Sequence, residues 1–368
     1  MRVGVIGGGQ LARMMVPAAI GLGVDIAVLG EVPDASARIA VTRVGDYRDA
    51  EVVLDFARDV DVITFDHEHV PQPVLAALVD AGVAVRPGPG ALAHAQDKLV
   101  LRARMDELRI PQPVWAAVSD QDGIAAFLKT TGGRAVVKTP RGGYDGKGVR
   151  VVTQPHEASD WLGNGDLLAE EVVPFRRELA QLVARRPSGE IMAWPLVETV
   201  QDGGVCREVL APAPSSIARL ADVACDLAMT IAAELDVVGV LAVELFETED
   251  DRVLVNELAM RPHNSGHWTI DGSTTIQFEQ HLRAVLDLPL GASGSRDPWS
   301  VMVNVLGGPE DGDLESRLPG LLADQPTVKL HLYGKAPRPG RKIGHVTAGG
   351  DDLDEVAYRA RAAAAHLA

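Results

Sequence analysis

Short apolar runs alternate with helical patterns through the first part of the chain. Three runs have the length and apolar content of buried strands: residues 3–6, 24–29 and 60–65. Residues 11–22 have the spacing of a helix, and strand, turn and helix in this order predict a parallel sheet with right-handed crossovers. The breaker Pro87-Gly88-Pro89-Gly90 is typical of a domain edge, so we expect a first domain over residues 1–92.

A helix and a smaller strand-rich unit follow. Leu101, Met105 and Leu108 lie on one helical stripe, which Pro111 ends. Two strand-like runs flank a glycine-rich segment: residues 135–138 and 149–152. We expect these parts to form a second, small domain over residues 93–175.

The rest of the chain has a mostly antiparallel character. Six runs resemble strands: residues 178–184, 190–197, 238–246, 252–256, 300–306 and 328–333. Residues 220–235 have helical spacing, and an alanine-rich helix follows Asp352. We expect a larger domain over residues 176–298 and a C-terminal subdomain, residues 299–368, packed on it. The fold class is therefore mixed, α/β and α+β.

The composition narrows the function classes. The chain has 368 residues, enough for two or three domains, and a formal net charge of −16. Such a chain lacks the basic face that non-specific nucleic-acid binding needs, so we expect no nucleic-acid partner, and any phosphate site must use local amides and a few cations. Without a long apolar run or a signal peptide, we expect no membrane partner. Two cysteines, Cys206 and Cys225, need no disulfide framework and fit a reducing cytoplasm.

The first strand runs into a glycine-rich turn, Gly7-Gly8-Gly9-Gln10-Leu11-Ala12, that opens a helix. Amides at such a turn, together with the helix N-terminus, form an anion site. Three interpretations stay open: a phosphate site, a nicotinamide or flavin site, and a tight turn without a ligand. The dinucleotide interpretation is the weaker of the first two, because Glu31 is only a loose match to the acidic residue expected at the end of the second strand.

A second glycine-rich segment is more specific. An apolar strand delivers Lys138, and residues 142–148 surround two charges and an aromatic ring with four glycines. Such a hairpin tip folds its amides over phosphates, while Lys138 reaches them from the strand. A flexible hairpin is the alternative, since Asp-Gly is a common turn pair.

Two acids flank a predicted hairpin turn at Glu249-Asp250. If the turn has two central residues, Glu244 pairs with Val255, and Glu257 lies diagonally across on the same face. Two carboxylates with Asn256 beside them suit Mg²⁺ held together with nucleotide phosphates. Solvent-facing acids on an edge hairpin are the alternative, but the flanking residues are apolar on both strands.

Three further segments carry candidate chemistry. Residues 255–267 combine a carboxylate, two amides, a guanidinium and two imidazoles, which suits a site with a metal on one side and an anionic substrate on the other. Residues 170–178 are either a charged linker or an adenine platform whose Glu178 takes the ribose hydroxyls. Residues 337–345 are either a solvated basic turn or a phosphate clamp. We interpret His267 and His281 as structural or substrate-bonding groups, because their spacing does not support zinc.

These pieces occur together and in order. The matching motifs are Gly-Gly-Gly-Gln-Leu at 7–11, Thr-Phe-Asp-His-Glu-His-Val at 64–70, Gln-Asp-Lys at 96–98, and residues 142–148, 256–267, 277–284 and 340–345. With them the whole chain resembles the 5-(carboxyamino)imidazole ribonucleotide synthetase family of ATP-grasp enzymes. The resemblance implies an ATP-grasp fold with an N-terminal parallel α/β domain (the pre-ATP-grasp domain), a small lid domain and a larger C-terminal domain.

The resemblance also implies the site residues. The ATP-binding set is Lys98, Lys138, Gly143, Tyr144, Asp145, Gly146, Lys147, Gly148, Val149, Glu170, Glu171, Val172, Val173, Glu178, Gln201, Asn256 and Glu257. The Mg²⁺ ligands are Glu244, Glu257 and Asn256, and the catalytic residues are Arg261, Lys147 and Tyr144. The substrate-binding set is Gly9, Gln10, Leu11, Glu68, His263, Asn264, Lys335, Arg341 and Lys342, with Arg338 a further candidate for the substrate phosphate. Gln201 stands where some members carry a histidine, and Asp66 and Met260 replace a glutamate and a proline.

The implied reaction is the ATP-dependent carboxylation of aminoimidazole ribonucleotide with bicarbonate, through carboxyphosphate, in purine biosynthesis. The implied cofactors are ATP and Mg²⁺, and the implied assembly is a homodimer. Three rivals predict other observations. A formate-dependent glycinamide ribonucleotide transformylase would need formate, a dinucleotide-dependent oxidoreductase would bind NAD or flavin, and a nucleotide sensor would bind without turnover.

Overall fold

The computed structural model describes residues 1–143, 147–214, 220–309 and 312–367. The first domain is a parallel sheet in the order β3-β2-β1-β4. Its strands are β1 (Arg2–Ile6), β2 (Asp25–Gly30), β3 (Val41–Val44) and β4 (Val62–Phe65). Its helices are α1 (Gln10–Leu22), α2 (Ala50–Ala57) and α3 (Gln72–Asp80). The predicted parallel sheet is confirmed.

Two helices lead out of this domain into a small antiparallel sheet with the order β5-β8-β6-β7. The helices are α4 (Pro89–Gln96) and α5 (Lys98–Leu108), and the strands are β5 (Trp115–Val118), β6 (Ala135–Lys138), β7 (Val149–Val152) and β8 (Leu167–Glu171). Helix α6 (Gln121–Thr130) and a 3₁₀ helix, Pro155–Trp161, complete the unit. A small core that includes Ile124, Phe127 and Val137 holds α6 on the sheet.

A large antiparallel sheet occupies the rest of the described chain, in the order β14-β13-β9-β11-β12-β15-β17-β16 with β10 beside β9. Its strands are β9 (Phe175–Arg185), β10 (Ile191–Ala193), β11 (Val197–Asp202), β12 (Val205–Ala211), β13 (Gly239–Thr248), β14 (Val253–Ala259), β15 (Trp299–Leu306), β16 (Lys329–Leu332) and β17 (Lys342–Gly350). The accompanying helices are α7 (Ala221–Glu234), α8 (Thr269–Gly272), α9 (Gln277–Val285), α10 (Leu318–Asp324) and α11 (Leu353–Ala365). Because β12 pairs with β15, residues after 299 continue this sheet.

One predicted strand was wrong. The run over residues 190–197 is divided between β10 and β11, because Trp194 and Pro195 leave the strand between them. The Trp194 amide still donates to the Leu182 carbonyl of β9 at 3.0 Å, but Pro195 has no N–H to donate to the ladder. Both β10 and β11 nevertheless pair with β9, so the interruption shifts the register along one partner strand.

Continuous cores join the first domain to the large sheet. Met15 on α1 packs in one buried cluster with Phe278 and Leu282 on α9. A second cluster runs from Leu75 on α3 through Met105 on α5 to the hairpin strands β13 and β14. This packing fixes the glycine turn after β1 relative to the acid-bearing hairpin. None of the helices in the described ranges is long and apolar enough to cross a membrane.

Candidate active site

A cleft of about 1720 Å³ lies where the three sheets meet. Twenty-four of the predicted site residues line it: Gly9, Gln10, Leu11, Glu68, Lys98, Lys138, Gly143, Lys147, Val149, Glu170, Glu171, Val172, Val173, Glu178, Gln201, Glu244, Asn256, Glu257, Arg261, His263, Asn264, Lys335, Arg341 and Lys342. Arg338 also lines it. Tyr144, Asp145 and Gly146 lie outside the described residues.

Gly148 does not line the cleft. Its carbonyl accepts from the Thr139 amide at 2.9 Å, and its φ of 71° favours glycine. A Cβ there would stand 2.4 Å from Thr139 Oγ1. The geometry gives Gly148 a role in closing the hairpin that carries Lys138.

The acid-bearing hairpin has a different register from the predicted one. Glu244 pairs directly with Glu257, and Val255 pairs with Leu245. The predicted pairing of Glu244 with Val255 was therefore wrong, although both carboxylates line the cleft as expected. Directly paired residues have their Cβ atoms about 5 Å apart, so the two acids are close neighbours.

Two features of the hairpin cause this register. The turn has three central residues, since the Thr248 amide donates to the Arg252 carbonyl at 2.9 Å and Asp251 takes a φ of 62°. Asn256 is then an extra residue in β14, because the pairing shifts by one between Glu244 and Leu245. A bulge re-aims the side chains around it, and here it lies between the cleft and a buried arginine.

That arginine, Arg102 on α5, is 1% exposed. Its guanidinium donates to the carbonyls of Val255 at 2.9 Å and Asn256 at 2.8 Å, and to Glu170 Oε1 at 2.6 Å. Glu170 Oε2 meets Lys138 Nζ at 2.6 Å, and Lys138 also donates to Asn256 Oδ1 at 3.3 Å. Burial raises the pKa of Glu170, but the charges of Lys138 and Arg102 outweigh it and hold that pKa below its usual value.

The sequence interpretation overlooked Arg102. It assigned Glu170 to the nucleotide, whereas the structure buries this carboxylate, 2% exposed, between Lys138 and Arg102. Arg102 lies between the apolar residues Leu101 and Met105, and this position was the signal in the sequence that Arg102 faces inward. Glu170 and Arg102 together hold Lys138 in place at the edge of the cleft.

A second lysine faces the hairpin from the start of α5. Lys98 Nζ lies 2.9 Å from Glu257 Oε1. Asp97 caps the helix by accepting from the amides of Leu99 and Val100, and its other oxygen accepts from Arg141 Nε at 2.8 Å. The cap thus fixes the first turn of α5, and with it Lys98, beside the acid pair.

Glu68 and Arg261 join the first domain to the end of β14. Glu68 accepts from Arg261 Nε at 2.6 Å and from the Met260 amide at 3.1 Å. Burial raises the pKa of Glu68, but the Arg261 charge and hydrogen bond hold the pKa below its usual value. Glu68 in turn raises the pKa of Arg261 against the effect of burial, so this pair stays ionised.

His263 and Glu244 form the next contact along the cleft, with His263 Nε2 3.2 Å from Glu244 Oε1. His263 Nδ1 lies 2.9 Å from Ser265 Oγ. Burial raises the pKa of Glu244, but the hydrogen bond from His263 and nearby cations outweigh it, and the pKa lies below its usual value. Asn264, by contrast, exchanges two amide hydrogen bonds with Asn304, at 3.0 and 2.7 Å.

The glycine turn already holds a carboxylate. Asp66, after β4, accepts from the amides of Gly9 at 2.7 Å and Ala12 at 2.8 Å. The sequence marked Asp66 only as a replacement for a glutamate, because the parallel pairing of β1 with β4 is what brings it to the turn. Gln10 Oε1 accepts from Lys335 Nζ at 2.6 Å. This contact places the turn against residues 335–341, the basic loop before β17.

The opposite end of the cleft has aromatic and acidic walls. Phe175 and Phe246 stack with ring centroids 4.8 Å apart, and both line the cleft. Burial and the nearby Glu244 raise the pKa of Glu178 to about 7, against a hydrogen bond from Gln201 that lowers it. Glu171 uses its carboxylate to accept from the Val114 amide at 2.9 Å.

Lys342, the first residue of β17, lies near Glu244, whose pKa it helps to lower. Arg341 donates to the Ala336 carbonyl at 3.2 Å, and partial burial together with the Arg338 charge lowers its pKa. Within the described ranges, His, Cys, Asp and Glu do not gather into a metal-holding group of three or more. Two carboxylates and an amide oxygen nevertheless fit Mg²⁺, which takes its remaining oxygen ligands from phosphates and water.

A small sheet with a glycine-rich hairpin that faces an acid-bearing large sheet across one cleft defines an ATP-grasp ligase. Family models match along the chain. Residues 1–96 match the ribonucleotide synthetase preATP-grasp domain, residues 103–278 the ATP-grasp domain, and residues 300–359 the phosphoribosylaminoimidazole carboxylase C-terminal domain.

Named relatives narrow the class. The N5-carboxyaminoimidazole ribonucleotide synthase of Mycobacterium tuberculosis is 51% identical over 371 residues, covering 98% of this chain and 86% of its own. The Corynebacterium ammoniagenes enzyme of the same name is 48% identical over 377 residues, covering 99% and 91%. A crystal structure of the Aspergillus clavatus synthase in complex with ADP and 5-aminoimidazole ribonucleotide has a TM-score of 0.90 at 31% identity, covering 99% of this chain and 98% of that one.

The chain belongs to the N5-carboxyaminoimidazole ribonucleotide synthase family, as its motifs predicted. It is an ATP-dependent carbon–nitrogen ligase of purine biosynthesis that acts on small molecules. This assignment excludes the dinucleotide-dependent oxidoreductase as an interpretation of the glycine turn.

Proposed function

We propose that this chain transfers a carboxyl group from bicarbonate to the amine of aminoimidazole ribonucleotide, with ATP converted to ADP and phosphate. The observation that carries the proposal is the meeting, in one cleft, of the acid hairpin, the Arg261–His263 segment and the glycine turn of the first domain. A relative with this fold has a structure titled as a complex with ADP and 5-aminoimidazole ribonucleotide. The two ligands would occupy opposite ends of the cleft.

ATP would lie between the small sheet and the large sheet. Lys138, which Glu170 and Arg102 hold in place, would contact the phosphates together with Lys98 and the described part of the 142–148 hairpin. Phe175 and Phe246 would form one wall of the adenine site, beside the backbone of residues 171–173. Glu178 would accept from the ribose hydroxyls, with Gln201 bonded to it.

Glu244 and Glu257, with Asn256 at the bulge between them, would hold Mg²⁺. The ion supplies positive charge for the phosphates of ATP and for the charge that develops on the transferred group. The position of Lys98 supports this assignment. Its ammonium group contacts Glu257 and could instead bind a phosphate oxygen when ATP and Mg²⁺ enter. Glu257 therefore contacts a lysine, and Glu244 an imidazole, before nucleotide binds.

The ribonucleotide would bind at the end of the cleft that faces the first domain. Asp66 uses the Gly9 and Ala12 amides, so a phosphate at this turn would use those of Gln10 and Leu11. Lys335, which contacts Gln10, and the basic loop would supply cations. Arg261, His263 and Glu68 would surround the imidazole and the bicarbonate.

The proposed chemistry has two steps. A bicarbonate oxygen attacks the γ-phosphorus of ATP, forming a new P–O bond as the bond to the ADP oxygen breaks and carboxyphosphate results. The substrate amine then attacks the carboxyphosphate carbon, its N–C bond forming as phosphate leaves and the amine loses a proton. Arg261, ionised through Glu68, would stabilise the negative charge of the transferred group. Carboxyphosphate reacts with water, so closure of the hairpin over the cleft would protect it.

The test is coupled ADP release with Mg-ATP, adding bicarbonate and aminoimidazole ribonucleotide separately and together. We expect a rate that needs the ribonucleotide, and a carbamate product that forms only with bicarbonate. A rate that responds to formate or to another amine, and not to the ribonucleotide, would keep the ligase class and overturn the substrate.

We also propose that the enzyme is a cytoplasmic homodimer, the assembly and location that the family resemblance implies. Light scattering on the purified chain tests the assembly. A dimer has twice the 39.0 kDa of one chain, and a mass of one chain over the working concentration range would contradict it.

A further inference from the structure

Gln277, the first residue of α9, has a fully buried side chain that the proposed chemistry does not use. Its Oε1 accepts from the backbone amide of His263 at 2.8 Å, and its Nε2 donates to the carbonyl of the same residue at 2.9 Å. Nε2 also lies 2.8 Å from His267 Nδ1. One side chain thus holds both backbone polar groups of a residue that lines the cleft.

The chemistry of these partners fixes the orientation of the Gln277 amide. The backbone N–H of His263 can only donate and its carbonyl can only accept, so Oε1 and Nε2 are determined from both sides. Nε2 is then a donor toward His267, whose Nδ1 must accept. Burial, the largest effect, lowers the pKa of His267 well below its usual value, which keeps this acceptor available.

The loop over residues 263–267 is packed tightly around this amide. The Gly266 amide donates to the His263 carbonyl at 2.9 Å, and a Cβ on Gly266 would stand 2.4 Å from Gln277 Oε1. Thr269 Oγ1 accepts from the Gln277 backbone amide at 2.9 Å. The backbone of His263 therefore has little freedom to move. The position of its imidazole beside Glu244 is fixed accordingly.

We propose that Gln277 is a positioning residue for the reaction: it clamps the His263 backbone so that the imidazole stays on Glu244 in the cleft. The inference rests on the proposed function, which places His263 at the substrate end. It gives a role to a motif, residues 277–284, that the site chemistry leaves unassigned. A displacement of about 1 Å in a group that positions the reacting atoms lowers the catalytic rate by about 100-fold.

Gln280, one turn further along α9, provides a matched control. It is also fully buried and makes the same reciprocal clamp, donating to the Gly291 carbonyl at 2.7 Å and accepting from the Gly291 amide at 2.7 Å. Neither Gln280 nor Gly291 is among the described residues that line the cleft. Gln277→Leu and Gln280→Leu each remove a reciprocal pair of backbone hydrogen bonds from the same helix, and Gln277→Leu also removes the contact with His267. A merely structural role predicts that both folded variants keep the same kcat.

The experiment compares kcat and KM for ribonucleotide-dependent ADP release in the wild type and both variants. We expect Gln277→Leu to lower kcat by about 100-fold with the KM for ATP unchanged, because Lys98 and Lys138 are untouched. Gln280→Leu should keep the wild-type kcat. We expect the melting temperatures of the two variants to fall by similar amounts. Equal kcat values in the two variants would overturn the inference.

Two further measurements cover the other outcomes. If Gln277→Leu does not fold, Gln277→Glu against Gln280→Glu repeats the comparison, since a carboxylate keeps the acceptor and loses the donor; equal kcat values again overturn the inference. If the wild type releases no ADP with the ribonucleotide, the proposed function fails. Crystal structures of the folded variants then decide: His263 shifted from Glu244 in the Gln277 variant alone supports the clamp, and an unchanged contact overturns it.

Discussion

At the scale of single residues, the cleft charges neutralise one another before a ligand enters. Lys98 faces Glu257, Lys138 faces Glu170, and Arg261 faces Glu68. In a chain of net charge −16, these contacts keep the few cations of the site in place. In the proposed site, entry of ATP with Mg²⁺ would exchange the partners of these cations, and substitution of each acid tests its part in that exchange.

Glu257→Gln removes one of the two acids without changing the size of the side chain. We expect ADP formation to fall by about 10²–10³-fold or more, because the proposed site loses a charge that would hold Mg²⁺ at the phosphates. The hairpin register should survive, so the circular dichroism spectrum should match the wild type. Glu249→Gln, the same change at an exposed position in the turn of this hairpin, is the control. Wild-type turnover in Glu257→Gln would remove Glu257 from the metal site.

Glu178 makes a pH-dependent contribution with an unusual sign. Burial and the nearby Glu244 raise its pKa to about 7, above the usual 4.5. The unfolded chain thus releases this proton first as the pH rises, and folding loses stability between these two values. We expect Glu178→Gln to melt above the wild type at pH 8.5, with a gap that narrows toward pH 5.5. Glu107→Gln on the surface should show no such trend, and a constant gap for Glu178→Gln would contradict the raised pKa.

At the scale of elements, the bulge in β14 connects α5 to the acid hairpin. Arg102 bonds the two carbonyls on either side of the pairing shift and the buried Glu170, so one helix residue supports the bulge and Lys138 together. A bulge lacks regular ladder bonds, and an external donor satisfies its carbonyls. The positions of Asn256 and Lys138 therefore depend on Arg102, which is not among the described residues that line the cleft.

Arg102→Leu tests this connection. It leaves Glu170 with one cationic partner and two buried carbonyls without donors, so we expect a loss of about 3–5 kcal/mol in the free energy of unfolding. Arg104→Leu on the same helix is the control, because its pair with Glu107 at 2.8 Å is exposed and should be worth about 0.5 kcal/mol. Urea unfolding of both variants provides the measurement. Similar losses in the two would show that the Arg102 network does not support the fold.

Element-scale features also separate what the sequence could and could not predict. Strands β6 and β7 match the predicted residues, because apolar runs bounded by glycine are a local signal. The predicted register of the hairpin was wrong. The observed register depends on the φ of Asp251 and on a bulge at Asn256, and neither feature produces a pattern of apolar residues in the sequence. The neighbours of Arg102 and Asp66 come from helices and strands remote in the chain. Motifs therefore identified the cleft residues, while the contacts that hold them required the fold.

At the scale of the whole molecule, a buried neutral imidazole joins two domains. His281 on α9 lies 2.8 Å from Thr64 Oγ1 on β4 and accepts from the Val240 amide at 3.0 Å, so it links the first domain to the large sheet. Burial lowers its pKa to about 3. Burial also lowers the pKa of His67 to about 4, and those of His267 and His345 well below the usual value.

These imidazoles predict acid lability that begins before the carboxylates titrate. Below pH 6.5 the imidazole of His281 is protonated in the unfolded chain, whereas in the folded chain it stays neutral down to about pH 3. The contribution of His281 to stability is therefore complete above pH 6.5 and is lost as the pH falls from 6.5 to 3. Each such histidine adds about 1.4 kcal/mol per pH unit to the slope of the unfolding free energy. Glu178 opposes this slope, so the difference between variants is more informative than the wild-type curve.

His281→Gln should therefore be less stable than the wild type at pH 7.5. The glutamine amide has no polar atom at the Nδ1 position of the ring, so it cannot bond Thr64 and Val240 together as the ring does. Its unfolding free energy should then fall less steeply between pH 6.5 and 5, by about one proton's worth, or about 1.4 kcal/mol per pH unit. His156→Gln, at an exposed position on the small domain, should leave both stability and slope unchanged. Urea unfolding at several pH values measures both quantities. A His281 variant that loses stability but keeps the wild-type slope would show that His281 joins the domains without contributing to their acid lability.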